Sequence, residues 1–311
     1  MFVYPYLFGL LGYHPWFTHW ISLGPVASKE QHYRDLLLCS SDSTSPKESE
    51  QNLEYAFTQL LPNLPTPTPL SELLETLRSN LVTHPSALLG EVGLDRASRI
   101  PKSYPSSPLV LTPFIIPLSH QLAILEAQLD LAVELGRGVS MHSVKAQMVT
   151  KELIERMKAR WGERWDNISM DLHSCGLSAQ MWKDIEKKHP NVFLSLSTAI
   201  NSRSPNHRAL ISACSPSRIL VESDYPDIDQ CTQRTWEMVL TIAEVKGWRV
   251  EETWDYDDDD GDGEEAWGVV RRLEENWKAF KRGGHKSPTT NGRRRKQQIL
   301  ELDSDGSTVE P

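Results

Sequence analysis

Apolar residues in this chain come in short runs, most closed by a polar or charged residue and followed by a stretch with helical spacing. Runs end near Tyr13, at Asp95, His142 and His173, near Ser197 and at Asp224, and each predicts a short buried strand. Between them, Ser71 to Arg78 reads as a helix with Ser71 as its cap. Ser119 opens an amphipathic helix that presents Leu122, Leu125, Leu129 and Ala132 on one face and stops at Gly136. Further helices are predicted from Ala146 to Trp161, from Ser178 to Lys188, from Pro205 to near Cys214, and over 232–250 and 266–281. Alternating strand and helix implies parallel strands. In a closed β/α barrel every strand C-terminus opens on one face, where the loops build the active site. Glu91, His142, His173 and Asp224 would then converge, although more than a hundred positions of sequence separate the first from the last. Two imidazoles and two carboxylates at such a mouth are a ligand set for a hydrolytic divalent metal.

Composition narrows the class without choosing the substrate. An apolar fraction of 39% and ten Trp support a real core. The net charge is −9, but much of the acid lies between Asp255 and Glu265, so the global charge does not decide for or against a polyanionic substrate. Cys39, Cys175, Cys214 and Cys231 contain no CxxC pair, which predicts free thiols in a reducing compartment. The apolar start lacks a basic n-region and a cleavage site and is too short to span a bilayer. The expected protein is soluble, cytoplasmic or nuclear, with no membrane partner. Its expected organisation is a barrel over 1–281, with an insertion at 96–118 and an acidic loop at 254–265, followed by a disordered polar tail at 282–311. Arg293 to Lys296 in that tail reads as solvated. His19, His32, His84, His120 and His207 have no partner pattern and are expected on the surface or in loops.

Five stretches carry a resemblance. They are Gly12-Tyr13-His14-Pro15, Gly90-Glu91-Val92-Gly93-Leu94-Asp95, His142-Ser143, His173, and Glu222-Ser223-Asp224-Tyr225-Pro226. In this order and placement the chain resembles the TatD-related metal-dependent hydrolases, and its insertion resembles the fungal branch of that family. The resemblance implies a TIM-like (β/α) barrel that hydrolyses phosphodiesters, as a deoxyribonuclease, with one or two Mg²⁺, Mn²⁺ or Zn²⁺ ions. It implies Glu91 as a bridging ligand, His142 and His173 on one metal, and Asp224 on the other, where it also orients or deprotonates the attacking water. His14 would lie by the substrate phosphate. DNA is the implied substrate, and a subunit of the anaphase-promoting complex is an implied partner.

Three departures shape the expectation. The family's opening His-x-His is absent, and six strands fall short of the eight of a closed barrel. The barrel is therefore expected to be incomplete at its N-terminus, through a gene model that lost its first strands, and the chain as written to be poorly soluble and weakly active. His142-Ser143 is followed by Val144-Lys145 where the family has Arg, so Lys145 would offer phosphate a point charge without the bidentate fork. Ser174-Cys175-Gly176 also departs from the family pattern after His173. Two other classes compete: an impaired barrel that serves as a protein-interaction partner, and an amidohydrolase-like enzyme acting on C–N bonds.

Overall fold

The parallel order read from the sequence is realised in the computed structural model, which describes residues 9–39, 50–105, 108–251 and 267–286. In chain order the strands are β1 (Leu10–Leu11), β2 (Ile21–Ser22), β3 (Thr68–Pro69), β4 (Leu88–Asp95), β5 (Arg99–Pro101), β6 (Leu111–Ile115), β7 (Val139–Val144), β8 (Met170–Leu172), β9 (Val192–Ser197) and β10 (Ile219–Glu222). The main sheet has six strands in the order β1-β4-β7-β8-β9-β10, and each neighbouring pair is parallel. These are the six strands that the apolar runs mark. Among the described residues β1 and β10 are its two ends. The acidic loop and almost all of the polar tail lie outside the described residues.

Period-two alternation divides the sheet into two faces. One carries Leu89, Val92, Val139, Met141, Met170, Leu172, Leu194 and Ile219, all fully or almost fully buried in the main core cluster with the surrounding helices. The other carries Ser140, Asp171, Ser195 and Leu220, which help line a cavity of about 510 Å³ together with Leu10 and Trp277. A helix, Leu118–Leu135, packs on β4 and ends at Gly136, whose φ of 64° suits the left-handed cap expected there.

Some local expectations differ from the fold. Ser71 does not cap its helix: that helix is Leu70–Thr83, with Pro69 at the cap position and no side-chain cap bond. The helix expected from Pro205 starts at His207. Helices at Lys29–Leu37 and Glu50–Leu60 are additional to those that the sequence predicts. They pack with the antiparallel hairpin of β5 and β6 into a second small core around Tyr33, Phe57 and Phe114. The described residues of the 96–118 insertion thus form part of a structured lobe.

His19, His32 and His120 are not surface residues. They are 3%, 6% and 7% exposed, because the short helix at Pro15–Trp20 is pinned through them. The ring of His32 bonds the His19 carbonyl at 2.9 Å, and the ring of His120 bonds the Thr18 carbonyl at 2.9 Å. Burial depresses the pKa of His19 to about 3 and that of buried His189 to about 4. Both fold as neutral rings, while the unfolded chain takes up their protons below about 6.5. Stability from these two is therefore complete above that pH and is lost as pH falls, by up to ~1.4 kcal/mol per unit for each. Asp171, His142 and His173 are shifted upward and titrate in the opposite sense, so the test is a difference: the gap in urea midpoint between wild type and His189→Gln is expected to be less favourable to wild type near pH ~5 than near pH ~7.5. An equal gap at both pH values would mean that this ring is not sealed from water.

Candidate metal centre

Glu91 stands at the middle of the site on β4. Its Oε1 lies 2.7 Å from His142 Nδ1, 3.5 Å from His173 Nε2 and 3.7 Å from His14 Nε2. His173 Nε2 is also 3.5 Å from Asp224 Oδ2. The fold thus brings together the four residues singled out as ligands, with His14 beside them. Lys145 is exposed after β7 and takes no part in the cluster's hydrogen bonds among the described residues. Among the described residues three non-glycine residues have positive φ, namely Lys145 at 53°, Ser174 at 42° and Asp224 at 49°. All three follow strands of the main sheet at this mouth, where locally strained backbone often accompanies function.

Two carboxylates that the sequence reading passed over orient the imidazoles. Glu222 Oε2 accepts from His173 Nδ1 at 2.5 Å. With Nδ1 held there, Nε2 of His173 points between Glu91 and Asp224 and, once deprotonated, would offer its lone pair to a cation. Asp95 is itself fixed by N–H groups of Trp16, Ala97 and Ser98 at 2.6, 2.7 and 2.9 Å, and its Oδ2 faces His142 Nε2 at 3.5 Å. That Nε2 is buried and otherwise has no partner. A proton on Nε2 pointing to Asp95 would leave Nδ1 of His142 free to bind a cation beside Glu91. A signal for Glu222 was present, since period two places it on the same side as Asp224. Asp95 closes the Gly-Glu-Val-Gly-Leu-Asp stretch.

His14 is built differently. Its Nδ1 accepts the Trp16 N–H at 3.2 Å and so caps the helix Pro15–Trp20. A neutral ring that accepts at Nδ1 carries its proton on Nε2. Nε2 is therefore a donor to Glu91 or to a ligand, and a poor metal ligand, although it lies close enough to serve as one.

The electrostatics favour positive charge. Burial acts against an ionised Glu91, but hydrogen bonds from His14 and His142 and the nearby imidazoles outweigh it and hold the carboxyl well below the usual range. Burial likewise opposes charge on His142 and His173. Asp95 and Glu91 still raise the first to about 9, and Asp224 and Glu222 raise the second to about 11. A hydrogen bond to His173 lowers Asp224. A field that holds protons this firmly suits a divalent cation, and the carboxylate and imidazole donors match its chemistry. Asp171, His173 and Glu222 form a second possible group. Burial raises Asp171 to about 8, so near neutral pH it is largely a protonated acid, held by Ser140 at 3.3 Å. Cys175, beside this site, is buried, and burial pushes its thiol up to about 12, so it is not a nucleophile.

The profile of the family described as TatD related DNase matches residues 3–256. The Cut9-interacting protein scn1 of Schizosaccharomyces pombe is 30% identical over 279 residues, which cover 78% of this chain and 78% of the relative. An uncharacterized deoxyribonuclease of Saccharomyces cerevisiae is 28% identical over 222 residues, 69% of this chain and 65% of that protein. A crystal structure of a TatD homologue from Escherichia coli aligns with a TM-score of 0.47 at 18% identity, over 68% of this chain and 70% of that one. Among the described residues no helix is long and apolar enough to cross a membrane.

Proposed function

This chain belongs to the TatD-related DNase family, and on that premise we propose that it hydrolyses phosphodiester bonds in DNA with a divalent ion held by Glu91, His142, His173 and Asp224. One observation carries the reading. His173 Nε2 stands 3.5 Å from both Glu91 and Asp224 while its Nδ1 is locked to Glu222, an arrangement that supports cation binding. A bound ion supplies charge neutralisation and Lewis acidity at the phosphoryl group. Asp224, tethered by the Ser174 hydroxyl at 3.0 Å, accepts a proton from the attacking water. His14 donates its Nε2 proton to a phosphate oxygen, consistent with the capping bond that occupies its Nδ1. Lys145, exposed on the loop after β7, adds a point charge. Asp95 and Glu222 hold the two ligand imidazoles in the required tautomers.

The test is hydrolysis of end-labelled DNA in the presence of Mg²⁺, Mn²⁺ or Zn²⁺, beside a panel of amide and lactone substrates. Asp224→Asn is expected to lower DNA hydrolysis by at least ~10²-fold, the lower end of what general acid–base groups contribute, with an unchanged far-ultraviolet circular dichroism spectrum. Full activity in that variant would remove Asp224 from the reaction.

A second reading is a protein-binding role, favoured by the name of the fission-yeast relative, Cut9-interacting protein. On this reading the partner is a subunit of the anaphase-promoting complex. A pure, metal-free and inactive protein that binds such a subunit would favour it over the nuclease.

A further inference from the structure

Beside the metal centre lies a second cavity, of about 280 Å³, between the helix Pro15–Trp20 and the β5–β6 hairpin. Trp16, Phe17, Trp20 and Tyr104 supply its rings, and Arg99 and Lys102 supply two exposed cations. We propose that this pocket stacks an unpaired nucleobase next to the phosphate held at the metal centre; the proposal rests on the nucleic-acid reading above.

The rings form an open cup. Phe17 lies 5.0 Å from Trp20 and 5.6 Å from Tyr104 between centroids, and the Phe17–Tyr104 planes meet at 66°. Trp16 is 49% exposed and Tyr104 64% exposed, so ring surface remains for a ligand. Exposed aromatics gathered in one concavity are a recognition feature. Base stacking on such rings tolerates any sequence, because every base has a π-face. The Arg99 Nε donates to the Thr112 carbonyl at 2.7 Å, which fixes the guanidinium on the hairpin as a stationary charge for a backbone phosphate.

Continuity with the metal centre decides for a nucleotide over an unrelated apolar ligand. Trp16 is shared by both. Its ring lines the pocket, its Nε1 donates to Asp95 at 2.6 Å, and its ring centroid is 4.8 Å from that of His14. One indole separates the cup from the residue proposed to meet phosphate. A base that remains paired in a duplex cannot enter a cavity of this size, so the occupant must be single-stranded or frayed.

The test uses the full chain and a readout independent of catalysis, the quenching of tryptophan fluorescence by a short oligothymidylate against the same strand with abasic sugars. Wild type is expected to bind the strand with bases more tightly. Tyr104→Ala and Phe17→Ala are expected to weaken that binding by roughly 5- to 100-fold and to leave the abasic strand unaffected. Tyr104→Phe, which keeps the ring, should bind as wild type does. Equal affinity for both strands, or Tyr104→Ala binding like wild type, overturns the pocket. Base-dependent binding in a protein that hydrolyses no DNA would count against the nuclease reading and uphold the pocket.

Discussion

Glu91→Gln is expected to lose divalent-metal binding and all measurable DNA hydrolysis while the protein remains folded. Loss of a residue that merely orients a metal ligand costs about 10- to 100-fold in affinity or activity. Glu91 is proposed as a ligand itself, and its Oε1 faces three imidazoles at once, so the loss should exceed the upper end of that range. Isothermal titration with Mn²⁺ and Zn²⁺ measures the affinity, and the hydrolysis assay measures the consequence. A third readout needs no metal. His142 and His173 are raised to about 9 and about 11 by their carboxylates, Glu91 among them. With an amide at position 91, both rings should titrate at lower pH in nuclear magnetic resonance spectra recorded with chelator. Wild-type metal affinity in the variant would remove the proposed centre, whatever happens to the rings.

Gly93→Ala is expected to destabilise the fold by ~3 kcal/mol or more, near the top of the range for overpacking. The register places Gly93 beside His142 on β7. A Cβ there would fall inside contact distance of the His142 carbonyl and Cα, which are backbone atoms with no rotamer to yield. The same shift would displace His142 from Glu91, so residual metal binding should also fall. Gly176→Ala is the control, since a Cβ there meets nothing within 4 Å. Urea midpoints of the two variants give the comparison. Equal midpoints would show that β4 and β7 can part without loss.

Much of the fold was legible because apolar runs and helical periodicity record burial directly. The strands with His142 and His173 and the helix Leu118–Leu135 were all readable in this way. The lobe around Tyr33, Phe57 and Phe114 was not, because its helices are short, at 9 and 11 residues, and are stabilised by each other and by the hairpin. His19, His32 and His120 looked unremarkable in sequence. Their burial depends on carbonyls presented by one short helix, a contact without a sequence period.

The candidate site divides along the same line. Residue identity and order pointed to Glu91, His142, His173 and Asp224, because strand ends in a parallel sheet share one rim whatever the loops do. The orienting roles of Asp95 and Glu222, unlike their presence in the motifs, became evident only in three dimensions, since the orienting of an imidazole depends on which ring nitrogen faces which oxygen. The sequence by itself determined the parallel sheet, the ring of donors and the family. The tertiary structure alone decided which oxygens face the imidazoles, the shared Trp16 wall and the aromatic cup, because these follow from distances across chain segments that no periodicity connects.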